Sequence, residues 1–271
     1  MAYITPLLKK AGLDNTDVKN YRPISNLSVI SKMLERVILQ RLLEHLKVNG
    51  LFPSVQSAYR KYHSTETAMA KVTSDILMAL DRGDVAALAL LDLSAAFDTV
   101  DHAILLRRLR ESYGISGGVL AWISSYVTDR QQSVCHGGTS SAQEYIMFGV
   151  PQGSVLGPLL FVLYTADLVS LIADHRLHSH LYADDSDTQV YGWSSPSDAN
   201  ALQVNMSQCI QDVARWTSSN RLQLNAQKTE FIWRAPSRRR HYIPNGDVQV
   251  GHDSVRPVPS ARDLGVYVVR L

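Results

Sequence analysis

The segment VAALALLDL, at residues 85–93, constrains the fold more than any other part of the sequence. A continuous apolar run of this length predicts a fully buried strand, yet this one carries a carboxylate, Asp92, near its end. A charged side chain in apolar surroundings is costly unless it is paired or holds a cation. Helical and strand patterns alternate irregularly along the rest of the chain, which favours an α+β fold over a doubly wound sheet.

Two segments of the sequence have the pattern of a helix. Residues 31–49 carry apolar side chains at helical spacing, from Met33 and Leu34 to Leu46, and Gly50 is a plausible stop. Residues 156–171 predict one buried helix, with Pro158 tolerated in its first turn.

Composition narrows the class of protein. The chain has 271 residues, with 27 Lys and Arg against 25 Asp and Glu, and two cysteines, Cys135 and Cys209. Two cysteines cannot build a disulfide framework, so we expect a reducing, intracellular setting, in the nucleus or the cytoplasm. No run approaches the roughly 20 apolar residues of a membrane span, and the first residues do not resemble a signal peptide. We therefore expect neither a secreted scaffold nor a membrane protein.

Two adjacent acidic residues, Asp184 and Asp185, fall at a predicted hairpin turn between strands at 178–183 and 188–191. Adjacent carboxylates repel each other, and a hard divalent cation such as Mg²⁺ would relieve that repulsion. One aspartate on a strand and an aspartate pair on a neighbouring hairpin would suit two-metal phosphoryl transfer. Because aspartate is also a common turn residue, the pair taken alone is better explained as a plain turn.

Seven segments taken together favour a metal-binding role for the aspartate pair over a plain turn. In chain order they are NYRPISNLSVISK (20–32), QSAYRKYHSTETA (56–68), LLDLSAAFDTVDH (90–102), GVPQGSVLGPLLF (149–161), LYADD (181–185), LNAQKTEF (224–231) and ARDLGV (261–266). This ordered set resembles the reverse transcriptases of non-LTR (LINE-type) retrotransposons over nearly the whole chain.

The resemblance implies an α+β fold with the fingers and palm of a right-hand polymerase, in which an antiparallel palm sheet packs on helices. It implies a fingers-like region at 1–84, which also takes in about 103–145, and a palm-like region at 85–271 with motifs A to E. Family proteins usually carry an endonuclease upstream and a thumb downstream. We expect both to be absent here, as in a fragment of a longer reading frame or an eroded copy.

Carried over residue by residue, the resemblance implies that Asp92, Asp184 and Asp185 are the palm carboxylates that hold two Mg²⁺ ions. Lys228 matches a palm lysine proposed as the general acid for the pyrophosphate, and an exposed strand lysine is an equally good alternative. Ser186 and Asp187 stand as a two-residue insertion after the aspartate pair. An insertion of two keeps strand parity, but it would lengthen or bulge the hairpin.

The resemblance also implies a set of substrate-binding residues. Phe97, five residues after Asp92, matches an aromatic steric gate against the ribose 2′-hydroxyl, and a plain core aromatic is the alternative. The other positions match residues that contact the triphosphate, the nucleotide pocket and the primer end: Arg22, Lys32, Arg60, Gln152, Gly153 and Tyr182. Taken singly, the cations are as easily solvated charges, and PQGS is as easily a turn before a helix.

Two nearby patterns have structural explanations. Asp98, Asp101 and His102 are interpreted as capping and charge at a helix start. His178 and His180 alternate on one strand face, where packing is a better explanation than metal binding because no third ligand is evident.

We therefore expect an RNA-directed DNA polymerase core, a nucleotidyltransferase that binds an RNA template, a DNA primer and dNTPs. The alternative is a truncated, catalytically inactive remnant that still binds nucleic acid. The intact aspartates leave both open. An unrelated hydrolase would need a water-activating base that the sequence does not identify.

Overall fold

The computed structural model describes residues 2–58, 60–94, 96–182 and 187–269. Its helices are α1 Val29–Val48, α2 Thr65–Asp81, α3 His102–Glu111, α4 Gly117–Val127, α5 Gly157–Thr165, α6 Asp167–Asp174 and α7 Ala199–Ser219. Its strands are β1 Ala2–Leu8, β2 Tyr21–Asn26, β3 Val85–Leu91, β4 Leu93–Ser94, β5 Arg130–His136, β6 Thr139–Ser140, β7 Glu144–Ile146, β8 His178–Tyr182, β9 Asp187–Ser194, β10 Gln223–Leu224, β11 Glu230–Arg234, β12 Val248–Val250, β13 Asp253–Val255, β14 Ser260–Asp263 and β15 Val266–Val269.

The chain divides into two compact units. The first comprises Met1–Phe52 and Phe97–Tyr164, and the second comprises Pro53–Ala96 and Thr165–Leu271. In the first unit, β1 pairs antiparallel with β2 and parallel with β5, and both β6 and β7 pair with β5. The Asp101 carboxylate accepts a hydrogen bond from the backbone of Ile104 (3.0 Å), which confirms its predicted role as the cap of α3.

The second unit is built on a four-stranded sheet in the order β11-β3-β9-β8, in which all neighbours are antiparallel. Every residue of β3 is buried, as its apolar sequence predicts. Alternate side chains of β3 enter two cores, because neighbouring residues of a strand point to opposite faces. Residues of α2 share one core with Leu88, and residues of α7 share the other with Ala89. This arrangement confirms the α+β fold and the antiparallel sheet packed on helices.

The two units differ in their bounds from the predicted regions at 1–84 and 85–271. Helix α2 lies in the second unit because Met69, Val72 and Ile76 pack against its sheet. Residues 97–164 lie in the first unit. The names fingers and palm for particular residue ranges stay a prediction.

The helix predicted at 156–171 is observed as two consecutive helices, because α5 ends at Thr165 and α6 begins at Asp167, with Ala166 between them in a helical conformation. Distant side chains donate hydrogen bonds to carbonyl groups just before this break. The Tyr113 hydroxyl donates to the Leu163 carbonyl (3.1 Å), and the Arg108 guanidinium donates to the Tyr164 carbonyl. Those two carbonyls would otherwise accept the backbone N–H groups four residues on.

One helical stretch of the described residues, Gly157–Asp174, is long and apolar enough by length and composition to cross a membrane. More than half of it is buried inside the protein. The core helix of a soluble protein passes the same test, so this is weak support for a span. The expectation of no membrane segment stays a prediction.

Candidate active site

Asp92 lies directly after β3, where the central strand of the second unit ends. Its backbone carbonyl accepts a hydrogen bond from the Asn225 N–H (2.8 Å), and the next residue, Leu93, pairs with Leu224 of β10. The side chain is buried, with 8% of the residue exposed. The Oδ2 atom of this carboxylate has no hydrogen-bond partner among the described residues. Asp92 is therefore a buried acceptor held in place by its own backbone.

Lys228 forms an ion pair with this carboxylate. Its Nζ lies 3.5 Å from Asp92 Oδ2, which is an ion-pair distance but no hydrogen bond. A turn brings it there, in which the backbone N–H groups of Lys228 and Thr229 both donate to the Asn225 carbonyl. The lysine side chain is 68% exposed, so its ammonium stays hydrated while it lies beside the acid.

Strands β8 and β9 meet at the same end of the sheet as Asp92. Tyr182 pairs with Asp187, and Thr188 of β9 pairs with Leu91, the residue before Asp92. Asp184 and Asp185, as well as Ser186 of the predicted insertion, lie outside the described residues. The pairing at Asp187 shows that the strands are in register immediately after that connection.

The surroundings of Asp92 fit a divalent cation. A buried carboxylate oxygen without a hydrogen bond is costly, and here the exposed Lys228 ammonium at 3.5 Å offsets only part of that cost. A hard cation such as Mg²⁺ prefers such an oxygen. Within the described ranges, no group of three His, Cys, Asp or Glu side chains is clustered as metal ligands. The fit therefore rests on Asp92 itself.

The predicted nucleotide-pocket loop, residues 149–153, is held by backbone bonds within the first unit. Gly149 N–H donates to the Val100 carbonyl (2.7 Å), and Val150 N–H donates to the Phe97 carbonyl (2.8 Å). The Gln152 carbonyl accepts from the backbone of Ser25 in β2 (2.9 Å). The loop is thus fixed to two separate parts of the chain.

Glu35, which no sequence motif distinguishes, anchors the residues that follow this loop. It lies on α1, is 1% exposed, and its Oε2 accepts from the backbone N–H groups of Val155 (2.7 Å) and Leu156 (3.0 Å). The hydroxyl of Tyr126 donates to the same oxygen (3.1 Å). This contact satisfies N–H groups at the start of α5, which have no partner within the helix. The partners lie about 90 to 120 residues away, so no local pattern reveals them.

Gly149 is required by close backbone packing. It has φ +93°, and a Cβ atom there would lie 2.8 Å from the Phe97 carbonyl oxygen and 2.9 Å from Asp98 Cα. We expect Gly149→Ala to destabilise the protein by about 2–4 kcal/mol, from the positive φ together with the backbone overlap. Gly137→Ala is the control, since Gly137 also has positive φ (+58°) but has open space around it, and about 1 kcal/mol is expected there. Urea unfolding of both variants measures the difference, and equal losses would contradict a backbone contact.

Phe97 is 9% exposed, and its ring packs on Phe161 with 5.4 Å between centroids. This contact gives the ring a fixed position, and the role of steric gate stays a prediction. Gln152 is half-buried and Gly153 is exposed, with φ +88°. Lys32 on α1 is half-buried.

The predicted phosphate-binding residues Arg22 and Arg60 lie in different units. Arg22 is exposed on β2 of the first unit. Arg60 belongs to the second unit, where its Nη1 donates to the carbonyls of Ser54 (2.9 Å) and Gln56 (3.2 Å). Part of its guanidinium therefore holds the backbone of its own loop. Tyr182 is half-buried as the last residue of β8.

The two strand histidines make packing contacts. The His178 ring stacks on Trp193 at 4.5 Å between centroids, and His180 Nε2 lies 2.9 Å from the Ser57 hydroxyl. Burial lowers the pKa of His180, Lys71 and His63 lower it further, and Asp75 opposes them. The folded protein therefore favours the neutral form of His180 more than the unfolded chain does.

This burial predicts a pH dependence of stability. A histidine whose folded pKa lies below its unfolded value of about 6.5 stabilises the fold above that pH, and the contribution is lost as pH falls below it. We expect the free energy of unfolding to fall between pH 7.5 and 5.5 by up to about 1 kcal/mol more in the wild type than in His180→Gln. Parallel pH profiles of the two proteins in urea unfolding would contradict this.

The sequence is similar to reverse transcriptases over most of its length. The model of the reverse transcriptase (RNA-dependent DNA polymerase) family matches residues 8–258. The RNA-directed DNA polymerase from mobile element jockey of Drosophila funebris is 36% identical over 184 residues, covering 66% of this chain and 20% of that protein. A probable RNA-directed DNA polymerase from transposon BS of Drosophila melanogaster is 33% identical over 229 residues, covering 82% of this chain and 24% of that protein. The chain thus spans about a fifth to a quarter of the length of these relatives.

Solved structures show the fold. Telomerase from Candida albicans, in complex with a fragment of telomeric RNA, aligns with a TM-score of 0.60 at 12% identity, over 100% of this chain and 44% of that one. The RNA-dependent RNA polymerase of a human picobirnavirus aligns with a TM-score of 0.53 at 16% identity, over 85% of this chain and 40% of that one. These likenesses confirm the right-hand polymerase fold.

Proposed function

The chain belongs to the reverse transcriptase (RNA-dependent DNA polymerase) family, and we propose that it acts as the polymerase core of a non-LTR type mobile element. Members of this family generally use a divalent metal. The observation that carries the proposal is the Asp92 carboxylate, which is buried with one oxygen lacking a hydrogen bond, at the end of the central strand. Most buried carboxylate oxygens of a purely structural aspartate accept a hydrogen bond, whereas this one has only the Lys228 ion pair at 3.5 Å.

The proposed reaction is nucleotidyl transfer opposite an RNA template. The 3′-oxygen of a DNA primer forms a bond to the α-phosphorus of a dNTP, the bond from that phosphorus to the pyrophosphate oxygen breaks, and the hydroxyl proton is released. Asp92, Asp184 and Asp185 would hold two Mg²⁺ ions. When bound, those ions would lower the pKa of the primer hydroxyl and stabilise the charge on the leaving pyrophosphate.

Lys228 has the role of general acid in this proposal. Its exposed ammonium can reach solvent-borne phosphate groups, and its turn keeps it beside Asp92. A proton passed from Nζ to the leaving pyrophosphate would neutralise charge that develops as the bond breaks.

Binding of the nucleotide and primer is assigned to side chains of each unit. In the first unit, Phe97 would exclude a ribose 2′-hydroxyl, Gln152 and Gly153 would line the nucleotide pocket, and the cations Arg22 and Lys32 would contact the triphosphate. Charge-assisted hydrogen bonds from arginine suit phosphate oxygens. In the second unit, Arg60 would contribute to the triphosphate contact and Tyr182 would contact the primer end.

Primer extension tests the proposal. An RNA template annealed to a labelled DNA primer is incubated with the purified chain, Mg²⁺ and one dNTP at a time. We expect addition of the templated nucleotide and little addition of the other three or of the matching ribonucleotide. A folded chain that binds the duplex in a gel-shift assay but adds no nucleotide would instead favour the inactive, nucleic-acid-binding remnant.

A further inference from the structure

The side chains of Asp98 and Gln152 form a contact across 54 residues of sequence. Gln152 Nε2 lies 3.1 Å from Oδ1 and 3.0 Å from Oδ2 of Asp98. Both residues line a cavity of about 180 Å³ in the first unit, together with Ser25, Arg130 and Gln132. Asp98 lies in a short 3-10 helix at Ala96–Asp98, as its interpretation as a helix-start charge requires, and the contact with Gln152 is a further role for its side chain.

The backbones on both sides of this contact are held by other bonds. The Phe97 carbonyl accepts from Val150 N–H (2.8 Å), and the Gln152 carbonyl accepts from Ser25 N–H (2.9 Å). His102 Nε2 lies 2.8 Å from the Gly149 carbonyl oxygen. These bonds hold the backbone of the loop independently of the contact between the Asp98 carboxylate and the Gln152 amide.

The chemistry of the two groups sets the direction of the amide. An ionised carboxylate only accepts hydrogen bonds, whereas a glutamine amide donates from its nitrogen and accepts at its oxygen. Asp98 therefore selects the orientation in which the NH₂ group faces the carboxylate. The Gln152 Oε1 atom is then turned away from it and is available as an acceptor.

We propose that Asp98 is a positioning residue that fixes the Gln152 amide so that its oxygen is offered to a donor group, such as a sugar hydroxyl, of an incoming nucleotide. The use of this acceptor by a nucleotide rests on the proposed function. A sugar hydroxyl can both donate and accept, so an amide free to flip could meet it in either direction. The fixed oxygen of Gln152 selects the arrangement in which the hydroxyl donates.

The orientation is tested without any activity. In the ¹⁵N-labelled full chain, the side-chain amide signals of Gln152 are assigned by their absence in Gln152→Ala. We expect the chemical shifts of these signals to change in Asp98→Asn, because the carboxylate that faces the NH₂ group is then lost. Unchanged Gln152 signals in Asp98→Asn would overturn the assignment of Asp98 as the partner.

Kinetics test the consequence for the nucleotide. We expect Asp98→Asn to raise KM for the dNTP about tenfold with kcat changed less than about threefold, and Asp98→Glu to restore most of the loss. A variant with both Asp98→Asn and Gln152→Ala is expected to be no worse than Gln152→Ala alone, because one residue acts through the other. The proposal would be overturned if the effects of Asp98→Asn and Gln152→Ala on KM multiply in the double variant. A decrease in kcat alone for Asp98→Asn would also overturn it.

Glu44→Gln is the matched control, since it removes an exposed carboxylate of α1 in the same unit. It is expected to leave KM and the Gln152 signals unchanged. If the wild-type chain extends no primer, the proposed function fails, while the amide signals still decide whether Asp98 orients Gln152.

Discussion

Replacing Asp92 with asparagine is expected to lower the single-turnover rate of templated nucleotide addition by about 10³-fold, because a preorganised charge at the reacting centre is lost. Asparagine has nearly the same shape, so the backbone bond from Asn225 to residue 92 is retained. A neutral amide oxygen is a much weaker ligand for Mg²⁺ than a carboxylate. Rapid-quench primer extension at saturating dNTP measures the effect.

The same substitution separates catalysis from folding. The Asp92 carboxylate is buried with one oxygen lacking a hydrogen bond, and its ion-pair partner Lys228 is 68% exposed and contributes little. Removing the charge is therefore not expected to lower the free energy of unfolding in the absence of divalent cation. Asp81→Asn is the control, because it removes an exposed carboxylate of α2 in the same unit. An Asp92→Asn protein that extends primers within about tenfold of wild type would be incompatible with the proposed metal role.

Glu35→Ala is expected to have the largest effect on stability, a loss of about 3–5 kcal/mol. It would leave the backbone N–H groups of Val155 and Leu156 and the Tyr126 hydroxyl without their shared acceptor in a buried site. Each buried polar group without a partner costs about 1–3 kcal/mol. Guanidinium unfolding followed by circular dichroism measures the loss.

Glu35→Gln distinguishes the acceptor from the charge. The glutamine oxygen can still accept from the two N–H groups, and its NH₂ group can donate to the Ser31 hydroxyl, which lies 3.3 Å from Glu35 Oε1. We expect a loss of about 1–2 kcal/mol for this variant and less than about 0.5 for the exposed Glu44→Gln on the same helix. A Glu35→Ala protein as stable as Glu44→Gln would refute the anchoring role.

Local patterns predict the elements of this protein better than its anchoring contacts. The apolar run at 85–93 predicts the buried strand β3, and the aspartate near its end is the buried carboxylate with an oxygen that accepts no hydrogen bond. The strand and the position of its aspartate both depend on residues adjacent in the sequence, so a local pattern is enough to predict them. The α+β class follows from the irregular order of such elements.

Helix α1 shows where this reasoning fails. The helix itself is confirmed, but Met33, Leu34 and Val37 of its predicted apolar face are exposed, and Glu35 between them is buried. The burial of Glu35 depends on Val155 and Leu156, more than a hundred residues away. A helical pattern carries no information on such a partner.

Strands β1 and β2 were not predicted from the sequence, and the reason is their proline residues. Pro6 and Pro23 lie opposite each other in this pair. Proline is usually evidence against a strand because it cannot donate to the hydrogen-bond ladder. Here β2 is an edge strand, and β1 meets β5 only at Ala2–Ile4, so neither proline interrupts an inner ladder.

The most direct test of the account compares primer extension by the wild-type chain and by Asp184→Asn on an RNA template with dNTPs and Mg²⁺. Both proteins are first shown to have the same circular dichroism spectrum and the same affinity for the duplex. The account predicts templated extension by the wild type and none by the variant. Equal extension by both proteins, or none by a folded wild type that binds the duplex, would contradict it.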